Sequence, residues 1–216
     1  VLRVGLTGGV AAGKSTVAAL LAARGAAVRD ADAIVAGLYA PGGGAVEPLV
    51  ELFGREILEP GAGVERNRLA SRLANEPQLL RQLEQIVHPL VVEELERWLA
   101  ALEREGSVPV AVVEAALLVE TGTFQRFHRL VVVTAPEAVR RERALASGFS
   151  ARLLEQILAQ QADDAARLRV ASYVVENAGT PEELERSVAR LWEALMRDAQ
   201  LQASGLPLPE VSALRL

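Results

Sequence analysis

Gly8-Gly9-Val10-Ala11-Ala12-Gly13-Lys14-Ser15 is the stretch from which the rest of this chain can be read. It fits the pattern G-x-x-x-x-G-K-[ST], and its flanks supply the context that pattern needs. Residues 3–7 (RVGLT) read as a short strand, and residues 14–24 repeat small and apolar side chains at helical spacing. Strand, glycine-rich loop and helix in this order make a phosphate cradle, because glycines let successive N–H groups turn inward around phosphate oxygens and the helix adds the positive end of its dipole. The cup is expected from Gly8, Gly9, Val10, Ala11, Ala12 and Gly13. Lys14 is expected to reach the β- and γ-phosphates of a nucleotide, Ser15 to offer its hydroxyl to Mg²⁺, and Thr16 to support the turn.

Composition sharpens that reading. The chain carries 23 lysines and arginines, and Lys14 is the only lysine. A sequence that uses arginine for every other cation keeps an ammonium here, where a compact charge on a flexible stem does what a planar guanidinium cannot. The same count argues against a GTPase, since the guanine-recognising N-K-x-D segment requires a second lysine. With 216 residues, 50% of them apolar and 24% charged, the chain reads as one large domain or a core with a sub-domain. A net charge of −5 with 4% aromatics argues against a nucleic-acid binder built on basic stripes and stacking platforms. There is no cysteine and there are only two histidines, so thiolate and histidine-rich metal sites are excluded. No apolar run approaches the roughly 18 residues of a membrane span and no leader pattern opens the sequence, so a cytoplasmic protein with no membrane partner is expected.

Outward from the loop, residues 27–29 read as a second strand running into Asp30-Ala31-Asp32, which places two carboxylates at a strand end. Residues 46–103 show amphipathic helical pieces and no convincing strand, with turns expected near Pro77 and Pro89 and a helical run ending at His88-Pro89. Residues 108–113 and 130–134 have the length and valine content of strands buried on both faces, and 173–175 is a third. Helices are expected over 137–146, 152–169 and 181–199. The last opens with Thr180 as N-cap, Pro181 in the first turn and Glu183 completing a capping box. Alternating strands and helices predict an α/β fold. Residues 201–216 lack a sustained period and read as a tail or surface arm.

From here the sequence resembles the dephospho-CoA kinases, P-loop enzymes that phosphorylate the ribose 3′-hydroxyl of dephospho-CoA with ATP. The resemblance runs over about residues 3–195. It is carried, in order, by GLTGGVAAGKSTVA (5–18), Asp30-Ala31-Asp32, Phe53-Gly54 with Ile57-Leu58, Arg66 with Leu69, Leu83-Glu84, His88-Pro89, Leu117-Leu118-Val119-Glu120, Gln161, and Asn177 with Gly179. It implies a P-loop kinase fold with a five-stranded parallel sheet flanked by helices. The implied layout is a core of about residues 1–40 and 106–200, a helical acceptor-binding insertion over about 41–105, a lid over about 140–170, and a tail beyond 200. The implied cofactors are ATP and Mg²⁺, the implied partner is the small molecule dephospho-CoA, and a monomer or weak homo-oligomer is expected.

The resemblance also distributes roles. Asp32 is the carboxylate expected to orient the acceptor hydroxyl and take its proton. Asp30 either shares that work, binds Mg²⁺ through water, or caps the following helix, and Glu114 either holds the Mg²⁺ shell or ends a strand in solvent. Tyr39, Arg66, His88 and Glu120 are expected on the acceptor side, and Asn177 and Gly179 at the adenine end. The chain departs from the family's pattern at two usual arginine positions, where Glu142 and Ala146 stand. Arg140, Arg141 and Arg143 lie within a turn of them, and Arg143 is the expected substitute. Two other readings remain: a nucleotide-binding protein with weak or no kinase activity, and a kinase for another nucleotide-like alcohol.

Overall fold

A computed structural model describes residues 1–161 and 163–216. The run Leu2–Gly8 forms β1, and every residue from Val4 to Val10 is buried, as expected of a central strand covered on both faces. The other strands are β2 (Ala27–Asp30), β3 (Val110–Glu114), β4 (Arg129–Thr134), β5 (Tyr173–Glu176) and β6 (Leu214–Arg215), in the order β2-β3-β1-β4-β5-β6. Strand β1 pairs in parallel with β3 and β4, β4 with β5, and β5 with β6. The helices are α1 (Lys14–Ala22), α2 (Ala31–Tyr39), α3 (Val46–Phe53), α4 (Arg66–Asn75), α5 (Leu80–Glu105), α6 (Glu137–Ala146), α7 (Ala151–Gln160), α8 (Asp164–Val170) and α9 (Pro181–Ala203). Alternate strand residues serve opposite faces. Leu2, Val4, Leu6, Val110, Val112, Val131 and Val133 pack with Val17 and Leu21 of α1 and Val188, Leu191 and Leu195 of α9. Leu130, Val132 and Val174 join Leu118 and Ala171 on the other side.

The chain divides into two compact units, one of Val1–Arg29 with Leu102–Leu216 and one of Asp30–Ala101. The first contains nearly all of the sheet, including β1 and the loop that follows it. The second is helical, and its one extended pairing is the isolated bridge between Leu58 and Val64. Among the described residues no helix is long and apolar enough to cross a membrane.

Two expectations are corrected. The sheet has six strands, not five, because the stretch read as a tail returns to the sheet edge. Ala213, Leu214 and Leu216 donate their N–H groups to the carbonyls of Ala171, Ser172 and Val174 at 2.8, 3.0 and 3.1 Å. The pairing is made by backbone groups over two residues, too few to leave a period in the sequence. The second correction concerns Pro89, which sits inside α5 and does not end it. Proline removes one ladder hydrogen bond, but α5 buries Val87 before that position and Leu95 and Leu99 after it, so burial on both flanks carries the helix through. By contrast, the capping box at Thr180 and Glu183 forms as expected, with both reciprocal hydrogen bonds present.

Arg129, at the start of β4, meets Asp198 of α9 through Nε at 2.7 Å and Nη2 at 3.1 Å. The Tyr173 hydroxyl donates to the same carboxylate at 2.7 Å, and burial, reinforced by that bond, pushes the phenol up to about 12. Arg129 Nη2 also donates to the Pro209 carbonyl at 2.9 Å, which anchors the segment leading to β6. Removing one partner of such a pair leaves a buried charge uncompensated, so Asp198→Ala is expected to lower stability by about 3–5 kcal/mol. Urea unfolding followed by circular dichroism measures this loss.

A pH dependence follows from His128. The Arg3 N–H donates to its Nδ1 at 2.9 Å, which requires that nitrogen to be unprotonated. Burial holds the imidazole below its ordinary 6.5, and the Arg3 charge pushes the same way. A folded value below the unfolded one means that the unfolded chain takes the proton first. The stabilisation is therefore complete above pH 6.5 and is lost as pH falls below it through the folded value. The urea midpoint of the parent protein is expected to fall more on acidification across this window than that of His128→Asn.

Candidate active site

The register of β1 sets the position of the loop after it. Leu6 lies beside Glu114 of β3, and Gly8 beside Val133 of β4. At the far end Gly13 caps α1 with φ 98°, a left-handed conformation, and a Cβ there would stand 2.1 Å from Asn177 Nδ2. Glycine is required at this position by conformation and by space alike. Asn177 donates from Nδ2 to the Ala12 carbonyl at 2.8 Å, while its own N–H donates to the Thr134 carbonyl at 2.7 Å. Asn177 is thus a strut between the end of the sheet and the crown of the loop. The Val10 N–H donates to Gln161 Oε1 at 2.9 Å. Val10 also packs with Ala144 of α6 and Leu154 of α7, with Ala11 and Phe149 against them.

Within the cup, Lys14 Nζ donates to the carbonyls of Gly8 at 3.1 Å and Gly9 at 3.3 Å. The Ser15 hydroxyl donates to Glu114 Oε1 at 2.7 Å. Glu114 ends β3 and is 9% exposed, so it is not the solvated strand terminus that one reading allowed. A hydroxyl and a carboxylate side by side are hard oxygen donors that suit Mg²⁺. Among the described residues no group of three or more His, Cys, Asp or Glu forms a metal cage, and Mg²⁺ bound with nucleotide phosphates needs only one or two protein ligands.

The arginines of α6 sort by position. Arg143 Nη1 donates to the Asn177 carbonyl at 3.0 Å. Arg141 pairs with Glu137 at 2.7 Å and with Glu155. Glu142 and Ala146 are exposed. Arg140 is buried. The sequence offered it only as one of three arginines within a turn of Glu142 and Ala146, with Arg143 preferred. Glu120 is engaged by Arg167 Nη2 at 2.7 Å, and Arg167 Nη1 reaches Asp164 at 3.3 Å. Gly179 lies under the Glu183 side chain of the capping box. The span 140–170 includes residue 162, which lies outside the described residues.

In the helical unit, Asp30 Oδ1 accepts the Asp32 N–H at 2.8 Å, so of its alternatives Asp30 takes the N-cap of α2. Asp32 lies in the first turn of that helix and is exposed. Arg66, the first residue of α4, brings its guanidinium within 5.9 Å of the Tyr39 ring centre and one nitrogen to 3.5 Å from the Asp32 carbonyl. Burial raises the Tyr39 phenol above its ordinary range, and the Arg66 charge opposes that shift. Asp32, Tyr39 and Arg66 are therefore neighbours although 34 residues separate the first from the last. His88 is exposed on α5.

Comparison with known proteins follows the same lines. A family model described as dephospho-CoA kinase matches residues 2–183. A dephospho-CoA kinase of Aquifex aeolicus is 36% identical over 196 residues, covering 91% of this chain and 98% of that protein. One of Geobacter sulfurreducens is 40% identical over 190 residues, covering 88% and 96%. Among solved structures, a Thermus thermophilus protein aligns with a TM-score of 0.77 at 34% identity, covering 90% of this chain and 97% of the other. A Campylobacter jejuni dephospho-CoA kinase aligns at 0.69 and 19% identity over 90% and 97%, which is a likeness of fold.

Proposed function

The chain belongs to the dephospho-CoA kinase family, and from that premise we propose that it transfers the γ-phosphoryl group of ATP to the ribose 3′-hydroxyl of dephospho-CoA. The observation that carries this reading is the meeting, at one glycine-rich loop, of the chain's only lysine with a serine bonded to the carboxylate that ends β3. The loop amides from Gly8 to Thr16 bind the phosphates, with Lys14 neutralising the β–γ end. Ser15, backed by Glu114, would hold Mg²⁺, which when bound neutralises phosphate charge and fixes the orientation of the oxygens. Asp32 receives the proton of the 3′-hydroxyl as that oxygen attacks the γ-phosphorus in line and ADP leaves.

Arg143 adds positive charge from α6, and Asn177 and Gly179 bound the base side of the nucleotide. On this reading Tyr39, Arg66 and His88 of the helical unit serve recognition of the acceptor, and Glu120 of the other unit is assigned the same task. Arg66 is suited to a phosphate of the acceptor, because a guanidinium steered by an aromatic face keeps its donor fork available. The same reading makes the protein a cytoplasmic enzyme, monomeric or weakly self-associating, that acts on small molecules without nucleic acid or membrane.

The test is a coupled assay of ADP formation with ATP, Mg²⁺ and separate acceptors: dephospho-CoA, adenosine and pantetheine derivatives. Turnover confined to dephospho-CoA is expected. Turnover with a different alcohol would reassign the acceptor, and nucleotide binding without turnover on any of them would defeat the kinase reading.

A further inference from the structure

The three arginines of α6 lie in three different settings, and Arg140 is the one that the phosphate loop touches. It is 8% exposed. Its Nε donates to the Ala135 carbonyl at 3.1 Å, and Nη2 faces Asp164 Oδ2 at 3.4 Å. Its remaining amino group, Nη1, lies 2.1 Å from where a Cβ on Gly9 would stand, so Gly9 is the loop residue on which the guanidinium rests. Among the described residues none accepts a hydrogen bond from Nη1.

The charges around it are uneven. Asp164 divides its carboxylate between Arg140 at 3.4 Å and Arg167 at 3.3 Å, and Arg167 has the closer partner in Glu120 at 2.7 Å. Arg140 therefore holds a long share of one carboxylate. From the other side Lys14 Nζ reaches the Gly9 carbonyl at 3.3 Å. Two cationic side chains thus meet the same glycine of the phosphate loop. The lysine of this motif is the one that meets the β- and γ-phosphates, so a phosphate held there stands beside Arg140 as well.

We propose that Arg140 is a phosphate-contacting residue, placing Nη1 on the terminal phosphate of the nucleotide beside Lys14, with Asp164 and Arg167 as positioning residues that aim it. This rests on the nucleotide-binding reading above. It gives a buried cation to the phosphates in a chain that has Glu142 and Ala146 exposed on the same helix. Asp164 accepts from both the Arg140 and the Arg167 guanidinium, so it fixes their spacing and leaves Nη1 directed at the loop.

The experiment compares ATP with ADP, because only ATP carries the phosphate in question. Calorimetric titration of Arg140→Gln is expected to show ADP affinity within about twofold of the parent and ATP affinity about tenfold weaker, with kcat about thirtyfold lower. Asp164→Asn provides an independent route. It removes the carboxylate that aims Arg140 while Arg140 and the loop remain unchanged, and the same ATP-selective loss is expected. Equal losses for ADP and ATP in either variant would mean that Arg140 merely supports the loop, and that result would overturn the proposal, as would unchanged affinity for both. A parent protein that binds neither nucleotide overturns the phosphate-loop reading along with it. A parent that binds both but does not phosphorylate dephospho-CoA loses only its acceptor assignment, and the ATP-to-ADP ratio still decides the role of Arg140.

Discussion

Lys14→Arg is expected to abolish phosphoryl transfer, lowering kcat/KM on the order of a thousandfold or more even though the positive charge is kept. The Nζ group sits 3.1 and 3.3 Å from the Gly8 and Gly9 carbonyls, inside a loop whose shape is held by the Asn177 strut and by the packing of Val10. A guanidinium is wider, planar and fixed in its donor directions, so it cannot follow an ammonium into that cup without pushing the crown of the loop outward. The proposed Arg140 contact adds to the penalty, because a second guanidinium would then crowd Gly9. The coupled assay for ADP measures the loss. Nucleotide-induced stabilisation in a thermal melt should shrink with it, since binding to the folded state alone raises stability in proportion to the logarithm of ligand over Kd. Activity within tenfold of the parent would show that the unique lysine serves only as a cation.

Asp32→Asn is expected to lower kcat by about a hundredfold or more while ATP affinity stays within about twofold. The substitution keeps size and shape and removes the proton acceptor. It should also leave the local structure standing, because α2 is capped by Asp30, which accepts the Asp32 N–H rather than bonding its carboxylate. The split between chemistry and ATP binding is the informative quantity. A fall in ATP affinity that matched the fall in kcat would make Asp32 part of the nucleotide site, and full activity would remove its role as base.

The parts of this protein that were legible in its sequence are those in which local pattern and tertiary role coincide. The loop at residues 8–15 is a contiguous motif, and the capping box at Thr180 and Glu183 needs only residues three apart, so both could be read without neighbours. The valine runs of β3 and β4 announced buried parallel strands because both faces of each are covered. The illegible parts depend on distant partners. Strand β6 exists because the edge of β5 offers free backbone groups, and α5 passes through Pro89 because apolar residues on both sides of it are buried. In the site, Ser15 with Glu114, Asn177 with Ala12, and Gln161 with Val10 are separated by 99, 165 and 151 residues. Family resemblance placed Asn177 and Gln161 among the matching residues but said nothing of these bonds. Arg140 had no motif of its own, and its burial and its contact with Gly9 set it apart from Arg141 one position later.

The strut from Asn177 to Ala12 has a consequence for biosynthesis. Translation delivers Gly8 to Ser15 together, but the side chain that braces their crown is encoded 165 positions after Ala12. A nascent chain halted before β5 thus carries every residue of the nucleotide motif with its brace missing. Its competence to grip a triphosphate should arrive late, in a single step, as the last parallel strands dock beside β4 on the ribosome's surface.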